Sequence, residues 1–391
     1  MIVGPDEICS RPGRVPPPAT EPRVTPIYPA VVYRCENPDQ ASRLLSGEIS
    51  GYVYSRDGHP NADLLAEKCR ALHGAERAVI CGSGMSALSV AALALCERGT
   101  RVVASNQLYG RSQQLFTTEL GRLGIESRLV DMQDLEAVTE SFESAASLLV
   151  VETITNPMLR VADLAALAEL AHRAGARLLV DNTFASPVVC RPMALGADLV
   201  MESLTKVMNG HADVLLGMLC GAAETWARVP NVVSTWGLGA SPFECWLAER
   251  GLGTLAVRVE RASANARAAA EFLAGRKEVK AVYYPGLESH PDHAVAARQF
   301  GDCFGTMVTF ALDGAAGAAT RFIRAAQGVP FSPSLGELST TLSHPQSTSH
   351  RSIPEPQRSA LGIEGGTIRL SLGIESTGAV LEALTEGLSG I

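Results

Sequence analysis

Between residues 77 and 203 the chain alternates short, continuously apolar runs with segments of helical spacing. That alternation limits the fold more than any other feature. The runs are RAVIC (77–81), RVVAS (101–105), ESRLV (126–130), SLLVVET (147–153), ARLLVDNT (176–183) and DLVMES (198–203). Strands that are apolar on both faces must be covered on both, and helices between parallel strands supply the cover. The pattern predicts an α/β fold built on a mainly parallel sheet. Past about residue 240 the rhythm changes to a long helical stretch (243–275), separated strands VKAVYY, GTMVTFAL and TIRLSLG, and a last helix. This predicts a smaller C-terminal α+β domain. Residues 1–57 read as irregular, first Pro-rich (RVPPPATEPRVTP) and then Gly-interrupted. The expected division is an arm over 1–57, a large domain over 58–240 and a small domain over 241–391.

Bulk properties remove several function classes. A net charge of −8 without any Lys/Arg run gives nucleic acid no counterpart. The nine cysteines are scattered and contain no C-x-x-C pair, which predicts reduced thiols, no disulfide framework and no metal site. The start of the chain lacks an apolar signal core, and ALSVAALALC is too short to span a bilayer. The expectation is a soluble cytoplasmic protein with a small-molecule substrate.

Lysine is scarce, with only Lys68, Lys206, Lys277 and Lys280 in 391 residues. Lys206 stands just past DLVMES, among Ser203, Thr205 and Asn209, and Asp181 closes the apolar run before it. Ligands of open α/β sheets gather beyond the carboxyl ends of the strands. The turn CGSGMSA, between a strand and a helix, matches a dinucleotide fingerprint in spacing. The next strand ends in SNQLYG without the carboxylate that a ribose would need, so a Rossmann-type oxidoreductase is the remote alternative. What remains is a helix N-terminus suited to a phosphate. A lysine able to form a Schiff base, a carboxylate able to hold a pyridine nitrogen protonated and a phosphate cup are the needs of pyridoxal 5′-phosphate (PLP).

The segments YSRDGHPN, SGMSAL, LYGRSQQLF, DNTFASP, RPMALGADLVMESLTKVMNGHADVLLG, WLAERGLGTL, HPQSTSH and IRLSLGIE occur in this order. Together they resemble the Cys/Met-metabolism PLP enzymes: cystathionine γ-synthases and γ-lyases, methionine γ-lyases and acylhomoserine sulfhydrylases. The resemblance implies PLP fold type I and elimination or replacement at a γ- or β-carbon, cystathionine γ-lyase/γ-synthase-like. A methionine γ-lyase or an O-acyl- or O-phosphohomoserine sulfhydrylase is the alternative. It further implies a homodimer with shared active sites, usually paired into a homotetramer. Carried over by motif, Lys206 is the Schiff-base lysine and proton shuttle, and Asp181 the partner of the ring nitrogen. Tyr109 stacks on the ring and assists at the leaving group. Gly84, Met85, Ser203 and Thr205 hold the phosphate, joined by Tyr54 and Arg56 from the neighbouring subunit. Asn156 lies near the phenolic oxygen, and Arg369 with Ser334 takes the substrate carboxylate. The chain departs from the usual pattern at His59, Val207, Val53, Ser339 and Arg111. Arg111, where Gly or Cys is usual, is expected to meet a distal anionic group of the substrate.

Overall fold

A computed structural model describes residues 20–142, 146–351 and 353–391; the Pro-rich start of the expected arm, residues 1–19, lies outside the described residues. The six apolar runs form strands β1 (Arg77–Cys81), β2 (Arg101–Ser105), β3 (Glu126–Val130), β4 (Leu148–Glu152), β5 (Arg177–Asp181) and β6 (Leu199–Ser203). A seventh, β7 (Gly217–Gly221), completes a sheet of order β1-β7-β6-β5-β4-β2-β3. β7 is antiparallel to both neighbours, while β3, β2, β4, β5 and β6 run parallel. The alternation of strand side chains splits the core in two. Leu148, Val150, Leu179 and Leu199 pack on one face, and Leu149, Val151, Val180 and Val200 on the other.

The second sheet is antiparallel, of order β10-β11-β9-β8. Its strands are β8 (Val279–Tyr283), β9 (Met307–Leu312), β10 (Thr341–Ser343) and β11 (Thr367–Ser371). Val308, Phe310, Ile368 and Leu370 continue the core of one face of the large sheet, so one apolar body joins the two sheets. The α/β class with a mainly parallel sheet and a smaller α+β part is therefore what the chain adopts.

Three local expectations need correction. The stretch expected as one helix over 243–275 is two, Pro242–Leu252 and Leu255–Ala274, parted at Gly253. The arm is not irregular throughout, because Pro38–Leu45 is helical, with Asn37 accepting a hydrogen bond from the Gln40 N–H. The helix expected after LYG is distorted by a π-turn at Leu115–Glu119. Among the described residues no helix is long and apolar enough to cross a membrane, and the eight described cysteines are free.

His59, one of the unusual positions, has a structural task. It is buried and caps the helix Pro60–His73: its Nδ1 accepts from the Ala62 N–H at 3.1 Å, while Nε2 lies 3.0 Å from the Ala240 carbonyl. The first N–H groups of a helix need such an acceptor. His59→Ala is expected to cost about 1 kcal/mol, read as a lower denaturation midpoint, and His59→Asn to recover most of it. An alanine variant as stable as the parent would contradict this role.

Candidate active site

The carboxyl ends of β4, β5 and β6 and the turn after β1 open on one cavity of about 580 Å³. Lys206, Asp181, Tyr109, Gly84, Met85, Ser203, Thr205, Asn156, Arg369, Ser334 and Arg111 all line it. Tyr54 and Arg56 do not. They lie elsewhere on this chain, the Arg56 guanidinium 5.0 Å from the Tyr54 ring centroid.

Lys206 sits in a tight turn after β6, where its N–H donates to the Ser203 carbonyl and its own carbonyl accepts from the Gly210 N–H. Its Nζ donates to Ser334 Oγ at 3.0 Å. Burial lowers the pKa of the amine, the Arg369 charge lowers it further, and Glu337 opposes them. A larger share of this amine than of an exposed one is therefore unprotonated and nucleophilic. The turn is held from behind by Arg258, which the sequence did not single out. This guanidinium is 7% exposed. It donates to the carbonyls of Val207 (2.8 Å), Met208 (3.0 Å) and Gly251 (3.0 Å), and Nε reaches Thr254 Oγ1 at 3.0 Å. All four acceptors are uncharged, and burial lowers its pKa to about 10.

Asp181 ends β5 beside Met201 of β6 and Glu152 of β4. One carboxylate oxygen accepts from the Thr183 N–H (3.0 Å) and hydroxyl, and Thr183 Oγ1 in turn accepts from the Ser203 N–H. Oδ2 makes no hydrogen bond among the described residues. Burial pushes the Asp181 carboxyl up to about 6 against those hydrogen bonds, with Glu202 adding to the rise. Glu152 is another residue the sequence reading passed over. It accepts from the Tyr109 N–H at 2.6 Å and the Asn156 N–H at 3.3 Å, tying two cavity loops to β4. Burial, then the nearby Asp181 charge, raises its pKa well above the carboxylate range. The signal that exposed Asp181, a carboxylate closing an apolar run, was equally present in LLVVE.

The turn at Ser83–Gly84 opens a twelve-residue helix whose first N–H groups face the cavity end. It is pressed hard on the strands: a Cβ on Gly84 would lie 2.9 Å from Ser203 Cβ, and one on Gly217 would lie 2.2 Å from the Ser83 carbonyl oxygen. That contact accounts for β7, whose glycine-ended GMLCG gave no strand signal. Thr205 Oγ1 donates to the Leu216 carbonyl and accepts from the Leu216 N–H, so this hydroxyl fixes the turn besides lining the cavity.

Arg369, on β11, is 4% exposed. It donates to Asn156 Oδ1 at 2.7 Å and to the Ser334 carbonyl at 3.0 Å, and its buried Nε has no partner. Burial lowers its pKa to about 10. A buried guanidinium without a carboxylate partner and with one idle donor is costly unless an anion completes it.

The donor set fits PLP: an amine of lowered pKa, a carboxylate with one open oxygen, a helix N-terminus flanked by Ser203, and an aromatic ring (Tyr109) on the same wall. The sequence profile described as "Cys/Met metabolism PLP-dependent enzyme" matches residues 8–389. An L-methionine gamma-lyase of Porphyromonas gingivalis is 35% identical over 94% of this chain and 92% of that protein. An O-succinylhomoserine sulfhydrylase of Pseudomonas aeruginosa is 38% identical over 90% and 87%. The crystal structure of a cystathionine gamma synthase from Xanthomonas oryzae pv. oryzae, in complex with aminoacrylate and cysteine, superposes with a TM-score of 0.89. It is 35% identical, covering 94% of this chain and 92% of that one.

Proposed function

Because the chain belongs to the Cys/Met metabolism PLP-dependent enzymes, we propose that it cleaves the bond between the γ-carbon of a four-carbon amino acid and its γ-substituent. The observation that carries this is the convergence of Lys206, Asp181 and Arg369 on one cavity. The bound cofactor supplies an electron-withdrawing ring that acidifies the substrate's α-carbon.

The chain's residues supply the rest. Arg369 takes the substrate carboxylate through its idle Nε, held in place by Asn156 and Ser334. Lys206 would hold the cofactor through its amine and, once released, would take the α-proton of the substrate. It returns protons as the γ-bond breaks. Asp181 would hold the ring nitrogen protonated through Oδ2. Gly84 and Met85 N–H groups, with Ser203 and Thr205, hold the phosphate. Tyr109, positioned by the Glu152 bond to its backbone, would cover the cofactor ring and donate a proton to the leaving group. Net elimination turns the amino acid and one water into the protonated leaving group, 2-oxobutanoate and ammonia. Net replacement puts a thiolate on the γ-carbon in place of the leaving group.

Tyr54 and Arg56 complete the phosphate site from a neighbouring subunit in a homodimer, which pairs into a homotetramer. Two features support this reading: neither residue lines its own chain's cavity, and the arm exposes Val31, Val32 and Tyr54. The domain division at 57 and 240 is supported by the two separate sheets, one built from strands before residue 222 and the other from strands after residue 278. A cytoplasmic location is supported by the free cysteines among the described residues, as a reducing compartment leaves them.

The test is borohydride reduction of the holoenzyme followed by peptide mass mapping, which is expected to tag Lys206. It is paired with a panel of cystathionine, methionine and O-acyl-homoserines, with and without a thiol. The panel is scored for 2-oxobutanoate against thioether. A tag on another lysine, or no product from any member, refutes the reading.

A further inference from the structure

The cavity has two cationic ends of different character. At the inner wall stands Arg369, engaged by Asn156 and Ser334. Arg111 and Arg351, both exposed, stand at the rim, and Gln114, Ser347, Thr348 and Ser349 also line the cavity. The two rim arginines come from segments far apart in sequence. Arg111 opens the short helix after Tyr109, and Arg351 follows the 3₁₀ turn Pro345–Ser347. The segments touch, since a Cβ on Gly110 would lie 3.4 Å from the Ser349 carbonyl oxygen.

What sets these two side chains apart is that they line the cavity without a carboxylate partner. In a chain of net charge −8, Arg43, Arg70, Arg101, Arg160, Arg177 and others are each paired with a carboxylate. Arg111 donates only to Gln114 Oε1, at 2.8 Å, and the Arg351 side chain makes no hydrogen bond or ion pair among the described residues. Among the described residues the carboxylates in the cavity wall are Glu152 and Asp181, and both belong to strand ends. Among the described residues the rim thus holds two forks of N–H donors and no carboxylate.

We propose that Arg111 and Arg351 form an anion subsite for the distal end of the γ-substituent, so that the preferred substrate carries a carboxylate or phosphate there. The inference rests on the γ-cleavage reading above and adds the charge of the leaving group. Arg369 is committed to the α-carboxylate, so a second anion on the same molecule needs a second cationic site. A planar guanidinium suits either oxyanion.

The experiment compares kcat/KM for homoserine O-esters that differ only at the far end: a distal carboxylate, its isosteric primary amide, and O-phosphohomoserine. The wild-type holoenzyme is expected to favour the carboxylate over the amide by roughly ten- to hundredfold, the range of one or two charge-assisted hydrogen bonds. In Arg111→Gln/Arg351→Gln that preference collapses to within about threefold, through loss on the acid and not gain on the amide. Arg111→Lys keeps part of it. Raised salt erodes the wild-type preference and leaves the double variant unchanged. Phosphate outrunning carboxylate identifies the former as the oxyanion; the reverse identifies the latter. Equal rates on acid and amide in the wild type overturn the subsite, as does a preference that survives in the double variant. Both side chains lie at the cavity mouth, so folding is checked by retained visible absorbance of the bound cofactor. A failure of the γ-cleavage reading looks different, with no ester turned over and no borohydride tag on Lys206.

Discussion

Lys206→Ala is expected to lower turnover by on the order of 10³- to 10⁴-fold on every substrate that the parent accepts. On the proposed reading the loss combines the covalent anchor with the base that takes the α-proton, and general acid–base catalysis by one positioned group has about that size. No other lysine can stand in: Lys68, Lys277 and Lys280 do not line the cavity. The chain fold should survive, because the anchor of the turn is Arg258 on the Val207 and Met208 carbonyls and not the amine. The variant is therefore expected to bind the cofactor reversibly, with an absorbance that dialysis removes. Residual activity within tenfold of wild type would show that another group moves the proton.

The second large effect concerns Asp181. In the cofactor-free protein its carboxyl is pushed up to about 6 by burial. Pairing with a protonated ring nitrogen favours the ionised form, so binding must drive off the proton whenever the pH lies below about 6. Affinity contributed by this group is thus fully present above pH 6 and declines by up to about tenfold for each unit below it. Asp181→Asn removes that component: the variant binds more weakly at pH 8, and its pH profile keeps only the titration of the cofactor's own groups. Turnover in this variant is expected to fall by about 10²- to 10³-fold, as when one preorganised electrostatic partner is lost. Equilibrium titrations of both proteins across pH 5 to 8 (roughly spanning the transition) decide the matter. Profiles of the same shape would place the dependence elsewhere.

Much of the architecture could be read from the chain because its signals are local. Apolar runs such as SLLVVET declare a doubly covered strand by themselves, and a charge at the end of such a run declares a strand end near a ligand. β7 was not legible, since Gly217 and Gly221 are dictated by the close approach of Ser83 and Asp198 and not by strand propensity. The break at Gly253 and the π-turn at Leu115–Glu119 leave the helical apolar spacing intact, so periodicity passed over both. Within the cavity wall, Lys206 and Asp181 stood out in sequence as a rare residue and a charge in apolar surroundings. Glu152 carried a signal of the same kind that went unused. Arg258 carried none, because its partners are backbone carbonyls about 50 residues away in sequence, and a carbonyl leaves no trace in composition. Arg351 likewise becomes notable only once folding brings it to the same cavity wall as Arg111.

The arginine clamp behind the lysine also bears on how such chains can be recombined. Arg258 belongs to the helix Leu255–Ala274, which packs on β8 and β9, yet its donors end on the loop that follows β6. A hybrid gene spliced near residue 240 would unite a loop from one parent with a clamp from another. Such a chimaera keeps its sheets but leaves the Val207 and Met208 carbonyls to be matched by a guanidinium shaped for different company. Crossovers placed before residue 200 or after residue 275 keep the pair together, and libraries built that way should yield a larger share of working catalysts.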